Sequence, residues 1–316
     1  KQRACDKHEH RGKKYGRRYS ESNGRSVFGN YGGIMEELRG MPVVKAIAED
    51  LTEKIEALKK NGVTPALAVV RVGQREDDLS FDRGLLKRFD QVGANVKVRA
   101  LAEDISEDEL IDVIKECNGD DNIHGILLFR PLPKSINEKR VVEFVSPDKD
   151  VDCMTISNLA HTFMQDGEGF EPCTARAVME MLDHYKVDLT GKRVTVVGRS
   201  LVVGKPLSMM LQKGNATVTM CHTKTRELKE ECQRADIICA CAGVAGMINE
   251  EFMSEGQIIM DVGINVVDGK LCGDVDYSKA EDIISAATPV PGGVGPMTIA
   301  MLMNNCVNSV EVNKAE

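Results

Sequence analysis

Two stretches of this chain carry residue types and spacings suited to chemistry. The first is Thr288-Pro289-Val290-Pro291-Gly292-Gly293-Val294-Gly295-Pro296-Met297-Thr298, with three prolines and three glycines in eleven residues. Such a run excludes a regular helix and a central strand. It reads as a stiff loop poor in side chains, which lets a ligand approach the backbone closely. The second stretch is Gly198-Arg199-Ser200-Leu201-Val202-Val203-Gly204-Lys205-Pro206, directly after the apolar run Val194-Thr195-Val196-Val197. A glycine-bounded turn between a strand and a helix suits a phosphate group, because backbone N–H groups converge at a helix start. Its glycines stand six apart, a longer turn than the usual dinucleotide fingerprint.

The strand that follows decides the cofactor. It ends in Cys221-His222-Thr223-Lys224 and lacks the acid that would accept from a ribose 2′-hydroxyl and repel a 2′-phosphate. With Arg199 available to pair with a phosphate and Thr223 to donate a hydrogen bond, NADP is the expected cofactor.

The elements that must position these groups follow from periodicity. Met35 to about Lys60 reads as helix, with Val44, Ile47, Leu51, Ile55 and Leu58 on one stripe. Strand-like runs follow at Ala66–Val72, Val96–Leu101 and Gly125–Phe129. They are separated by a helix carrying Phe81, Leu85, Leu86, Phe89 and Val92 and by one opened by the capping box Ser106 to Glu109. After a helix near residues 175–185 the alternation resumes, with strands at 192–198, 216–221, 237–240 and 257–262. Strands separated by helices predict parallel βαβ units. The expected fold class is α/β: an N-terminal three-layer βα domain over residues 34–155 and a Rossmann-like NADP-binding domain over 156–298. The apolar stripe Ile299, Leu302, Met303 and Cys306 predicts a C-terminal helix within 299–316 that packs back on the first domain. Residues 1–33 are rich in Arg, Lys, Gly, Ser and Tyr and poor in aliphatics. They are expected to be a disordered leader or tag; a transit peptide fits less well, given Asp6, Glu9 and Glu21.

Composition narrows the function classes. A net charge of −8 over 316 residues offers no basic footprint for nucleic acid or anionic membrane. No apolar run approaches the ~20 residues of a membrane span. The ten cysteines are scattered, and Cys239-Ala240-Cys241 is too tight for common zinc spacing. Free thiols in a reducing, cytoplasmic setting and no metal are expected.

Taken together, Gly198-Arg-Ser-x-x-Val-Gly-Lys-Pro206, Asp261-Val-Gly-Ile-Asn265 and Pro289-Val-Pro-Gly-Gly-Val-Gly-Pro-Met-Thr298 resemble the bifunctional methylenetetrahydrofolate dehydrogenase/methenyltetrahydrofolate cyclohydrolase family. Pro131-Leu-Pro133, Pro147-Asp-Lys-Asp-Val-Asp152 and Pro172-Cys-Thr174 extend the resemblance from about Met35 to the C-terminus. It implies a homodimer that oxidises 5,10-methylenetetrahydrofolate to 5,10-methenyltetrahydrofolate with NADP, folate lying in a cleft between domains. By the same resemblance Gly198, Arg199, Ser200, Thr223 and Ile264 hold NADP, with Thr298 nearby. Asp152 holds the pterin, and Pro291, Gly292 and Gly293 line the folate cleft.

The chain departs from that family at the cyclohydrolase machinery, which the family assigns to a tyrosine, a lysine one helical turn later, and a glutamine. Those positions hold Phe81, Leu85 and Phe129. Lys87 lies two residues beyond Leu85, about 200° around a helix, and so faces away from it. The family's usual Gly-Phe after Asp152 is Cys153-Met154 here. The expectation is a dehydrogenase whose cyclohydrolase activity is weak or lost. Two alternatives stay open: a full bifunctional enzyme using Lys87, and a non-catalytic NADP- or folate-binding protein.

Overall fold

The computed structural model describes residues 35–312, so the expectation for residues 1–33 lies outside the described residues. In chain order the elements are β1 Glu36–Glu37, α1 Gly40–Lys60, β2 Ala66–Val72, α2 Glu76–Val92, β3 Asn95–Leu101, α3 Glu107–Gly119 and β4 Gly125–Leu128. Then come α4 Glu138–Val142, α5 Ile156–Met164, α6 Cys173–His184, β5 Arg193–Val197, α7 Gly204–Lys213 and β6 Thr217–Cys221. The chain continues with α8 Leu228–Gln233, β7 Ile237–Ala240, β8 Ile258–Asp261, β9 Asn265–Val267, β10 Lys270–Cys272, β11 Ala286–Ala287 and α9 Gly295–Val312. They form two compact units. Among the described residues, 46–173 and 299–312 make the first, and 35–45 and 174–298 the second.

The first unit is built on a parallel sheet of order β3-β2-β4. Every residue of β2 is buried, so the strand is covered on both faces, as parallel strands usually are. Ala68, Val70 and Val72 pack with Leu110, Ile111 and Ile114 of α3. The opposite face carries Leu67, Val69 and Arg71. The expected capping box is present: the Ser106 hydroxyl accepts from the Glu109 N–H, and the Glu109 carboxylate accepts from the Ser106 N–H.

Two details depart from the sequence reading. Met35 to Arg39 is not helical; Glu36 and Glu37 pair with Ala286 and Ala287 as an edge strand of the second unit. The helix starts only at Gly40, where a Cβ would stand 2.1 Å from the Gly293 carbonyl and only glycine fits. On α2 the buried stripe is Asp78, Asp82, Leu85, Phe89 and Val92, whereas Leu86 is exposed and Phe81 only partly covered. Apolar periodicity alone does not register the two buried aspartates. Arg71, inside the sheet, draws Asp82 inward through an Nε–Oδ2 bond of 3.0 Å.

The second unit is a parallel six-stranded sheet of order β1-β11-β8-β7-β5-β6, with a separate antiparallel hairpin of β9 and β10. From β5 the chain moves outward to β6, then crosses to β7 on the other side of β5. That reversal is the topological switch point of a doubly wound sheet.

Helix α9 starts in the second unit and continues in the first. There the Asn305 amide donates to the Val151 carbonyl at 2.9 Å, and the Ser309 hydroxyl donates to the His124 carbonyl. Ile299, Leu302, Met303 and Cys306, the stripe that needed a partner, are all buried. Leu302→Ala should cost about 2–5 kcal/mol, a transfer term plus a cavity term, read as a lower urea midpoint for the first unit. A change below ~1 kcal/mol would mean that α9 is not part of that core.

Candidate functional site

In the first unit the candidate residues gather at the C-terminal ends of β2 and β4, where parallel sheets collect their loops. Phe129 directly follows β4, and its ring meets that of Phe81 edge to face, with centroids 5.7 Å apart and planes at 76°. Leu85, one turn further along α2, is fully buried. The three positions expected to be polar are therefore apolar and packed. Lys87 is exposed on the opposite side of the helix.

Asp152 sits in a loop pinned from several directions. Lys149 is buried and its ammonium donates to the carbonyls of Asn118 (2.7 Å) and Asp120 (2.9 Å). Asp150 is fully buried; its carboxylate accepts from the N–H groups of Met154 and Thr155, both at 2.8 Å, and from the Asn158 amide at 3.0 Å. The carbonyl of Val151 accepts from the Cys173 thiol at 3.2 Å and from the Asn305 amide. With its neighbours fixed, Asp152 keeps a side chain 21% exposed. Burial pushes its carboxyl up to about 6, against the pull of Arg130 and with a further push from Asp150. Asp150 is thus a structural cap, whereas the Asp152 carboxylate stands beside the Arg130 guanidinium.

Cys153 has φ 57°, in the left-handed region. A glycine adopts that conformation freely, whereas cysteine does so at a cost of about 1–2 kcal/mol. The departure from Gly to Cys after Asp152 therefore keeps the turn and adds strain to it.

Arg130 is a site residue that the sequence reading missed. Its guanidinium lies 3.7 Å from the Asp152 carboxylate and 3.9 Å from Glu138. The available signal was a charged residue ending an apolar strand just before Pro131. Arg75 adds a second pair, donating to Asp78 at 2.9 and 2.8 Å and to the Arg130 carbonyl at 3.3 Å.

The second unit gathers the residues expected to hold a dinucleotide. Gly198 closes β5 against the next loop, and a Cβ there would meet the Cys241 carbonyl at 2.3 Å. A Cβ on Gly204 would meet the Gly198 carbonyl at 2.2 Å. Both glycines are thus required by the close folding of the turn itself. Within it the Ser200 hydroxyl accepts from Val203 N–H at 3.0 Å and Gly204 N–H at 3.4 Å, which holds the turn closed ahead of α7.

Arg199 is exposed and has no ion pair among the described residues. After β6, His222 N–H donates to the Thr225 hydroxyl at 2.8 Å, and Lys224 N–H to His222 Nδ1 at 3.1 Å. This tight turn presents Thr223 and Lys224 outward. Cationic and hydroxyl donors with no acid among them fit a phosphorylated ribose.

The proline-rich loop packs on its own unit. The Thr288 hydroxyl accepts from Asp261 N–H at 2.7 Å, and the Tyr277 hydroxyl donates to the Thr288 carbonyl at 3.1 Å. Gly40 N–H donates to the Gly292 carbonyl at 2.9 Å. Gly293 is closed in, since a Cβ would lie 2.6 Å from the Pro289 carbonyl. Pro291 is exposed at the tip. Thr298 lies in the first turn of α9, and Ile264, 65% exposed, reaches its start at Gly295. The nine described cysteines are free, no described group of His, Cys, Asp and Glu could hold a metal ion, and no described helix is long and apolar enough to cross a membrane.

Comparison with known proteins agrees with both halves. Residues 38–152 match the catalytic domain of tetrahydrofolate dehydrogenase/cyclohydrolase, and residues 172–314 match its NAD(P)-binding domain. The bifunctional protein FolD of Clostridioides difficile strain 630 is 48% identical over 276 residues, covering 87% of this chain and 96% of that relative. The bifunctional FolD methylenetetrahydrofolate dehydrogenase/cyclohydrolase structure from Campylobacter jejuni is 38% identical, with a TM-score of 0.86 over 88% of this chain and 99% of its own. The Trypanosoma brucei enzyme, complexed with NADP cofactor and inhibitor, is 30% identical, with a TM-score of 0.85 over 90% and 100%. Matched in both domains and along nearly the whole of these relatives, the chain belongs to the tetrahydrofolate dehydrogenase/cyclohydrolase family.

Proposed function

We propose that this chain is an NADP-dependent 5,10-methylenetetrahydrofolate dehydrogenase whose cyclohydrolase step has lost its base. The supporting observation is the burial of Leu85 at the position where the family places its lysine, beside the packed pair Phe81 and Phe129. Bound NADP would supply the hydride acceptor. The cation formed when hydride leaves the methylene carbon is shared with the substrate's own nitrogens, so the chain need not move a proton. Its task is positioning. In the first unit Asp152 holds the pterin by charge-assisted hydrogen bonds. In the second, the loop at Pro291, Gly292 and Gly293 offers backbone to the folate. Gly198, Arg199, Ser200, Thr223, Ile264 and Thr298 hold the cofactor. A homodimer and a cytoplasmic location belong to the same proposal and rest on the family resemblance and the scattered cysteines.

Hydrolysis of the methenyl product differs, because water must be deprotonated as it attacks. A positioned base is typically worth ~10²–10⁴-fold. The relatives named above as bifunctional set the alternative, in which Lys87 serves. With 5,10-methylenetetrahydrofolate and NADP, methenyl-folate should accumulate, followed by its own absorbance beside that of NADPH. Lys87→Met should leave both signals unchanged. A selective loss of methenyl-folate consumption in that variant would assign the base to Lys87 and defeat the proposal.

Cofactor preference is tested through Arg199. Arg199→Ala should weaken NADP relative to NAD by roughly 10–100-fold in kcat/KM, the loss expected for one charge-assisted bond. Equal losses for the two cofactors would remove Arg199 from the 2′-phosphate.

The state of Asp152 gives a pH dependence. Burial holds its carboxyl at about 6, so the carboxylate is present above that pH and lost below it. The dehydrogenase kcat/KM for folate should fall as pH drops through about 6. Arg130 favours the charged form, so Arg130→Gln should move this limb upward by about one pH unit or more. A limb that stays in place, measured from pH 5 to 9 in both proteins, would separate Asp152 from folate binding.

A further inference from the structure

Two loops meet at the switch point of the second unit. The turn after β5 takes the first side of the switch point, and the loop after β7 takes the other, touching it where Gly198 meets Cys241. Dinucleotide folds bind one mononucleotide half on each side of that reversal. With the phosphate turn and the end of β6 serving one half, residues 242–244 face the other.

Those residues are exposed, apart from any strand or helix, and held by one buried side chain. Asp274, fully buried just after β10, accepts four hydrogen bonds. Oδ2 takes the N–H groups of Ala242 at 2.6 Å and Gly243 at 2.8 Å. Oδ1 takes Val244 N–H at 3.0 Å and the Asn265 amide at 2.9 Å. No ion pair is made by Asp274 among the described residues; backbone dipoles and one amide satisfy the charge. The carboxylate is itself fixed. Asp274 N–H donates to Asp261 Oδ1 at 3.0 Å, and Val275 N–H to Asp261 Oδ2 at 3.1 Å. A Cβ on Gly263 would stand 2.2 Å from Asp274 Oδ1, and one on Gly273 1.8 Å from Asp261 Oδ2.

We propose that Asp274 is a positioning residue for the dinucleotide. By gathering three consecutive N–H groups it sets the 242–244 turn as the wall against which the nicotinamide riboside half rests. The inference deepens the NADP reading and depends on it.

Asp274→Asn tests this with nearly unchanged shape. An amide has one acceptor oxygen, so in either orientation its NH2 group faces two N–H donors, and the turn must move. Titrating the full-length protein with NADPH, followed by cofactor fluorescence, should show Kd at least tenfold weaker. The dehydrogenase kcat at saturating NADP should stay within about threefold, so the defect appears in KM. A merely structural role would lower Tm without moving Kd at temperatures where circular dichroism shows the variant folded. Gly243→Ala is the second variant, because Gly243 has φ 68° and open space around it. It strains the turn without touching the carboxylate and should weaken NADPH severalfold. A folded Asp274→Asn with Kd within twofold of the parent overturns the proposal. If that variant does not fold, an unchanged Kd for Gly243→Ala overturns it. A parent that binds no NADPH defeats the cofactor reading itself, and this inference with it.

Discussion

Backbone N–H groups in loops must find acceptors, and in each unit a fully buried aspartate supplies them, in one case at the start of α5 and in the other after β7. Asp150 takes the N–H groups of Met154 and Thr155, and Asp274 those of Ala242, Gly243 and Val244. A buried carboxylate without a cation is expensive unless several N–H donors converge on it. Here each aspartate is matched to a loop of a particular shape. The residues expected to touch ligands are free to do so because others absorb the backbone's demands. Asp152 beside Asp150 is the clearest instance: two carboxylates in one turn, one consumed by structure and one left over.

The two chemical steps ask different things of this framework. Hydride transfer needs alignment, which loops fixed by buried carboxylates provide. Water attack needs a proton acceptor at a particular point, which only a side chain of the right type supplies. A leucine at residue 85 offers water no proton acceptor; Leu85 is fully buried, and Phe81 meets Phe129 edge to face. The same helix still buries charge, but Asp82 is paired to Arg71 and turned into the sheet. Burial raises its carboxyl in spite of that arginine. One Asp82 oxygen, Oδ1, is buried and has no hydrogen-bond partner. Enclosed in this way, it is not placed to serve water at the surface.

Much of this was legible in the sequence because parallel strands buried on both faces read as short apolar runs. The β2, β4, β5, β7 and β8 runs stood out for that reason, as did the apolar stripe of α9. What escaped were elements defined by partners distant in sequence. β1 is only Glu36–Glu37, charged and exposed, and it is a strand because β11 lies beside it. The burial of Asp78 and Asp82 on α2 depends on Arg71 and Arg75, which periodicity of apolar residues cannot register. The tight turn at Gly198 and the lack of an acid after β6 were readable because glycine turns and the absence of an acid are local signals. Arg130 and Asp274 were not, since each acts on a residue in another loop.

The arginines deepen the contrast between the halves. Arg199 in the second unit makes no ion pair among the described residues, so its charge is not directed at a described carboxylate. Arg130 in the first unit stands between Asp152 and Glu138, so its charge is directed at the protein. Asp152 has its carboxyl near 6 even with that help, because desolvation outweighs a guanidinium 3.7 Å away. A carboxylate in that balance changes state within the range where enzymes work. The group proposed to hold the pterin is therefore tuned by a residue that need not touch the substrate.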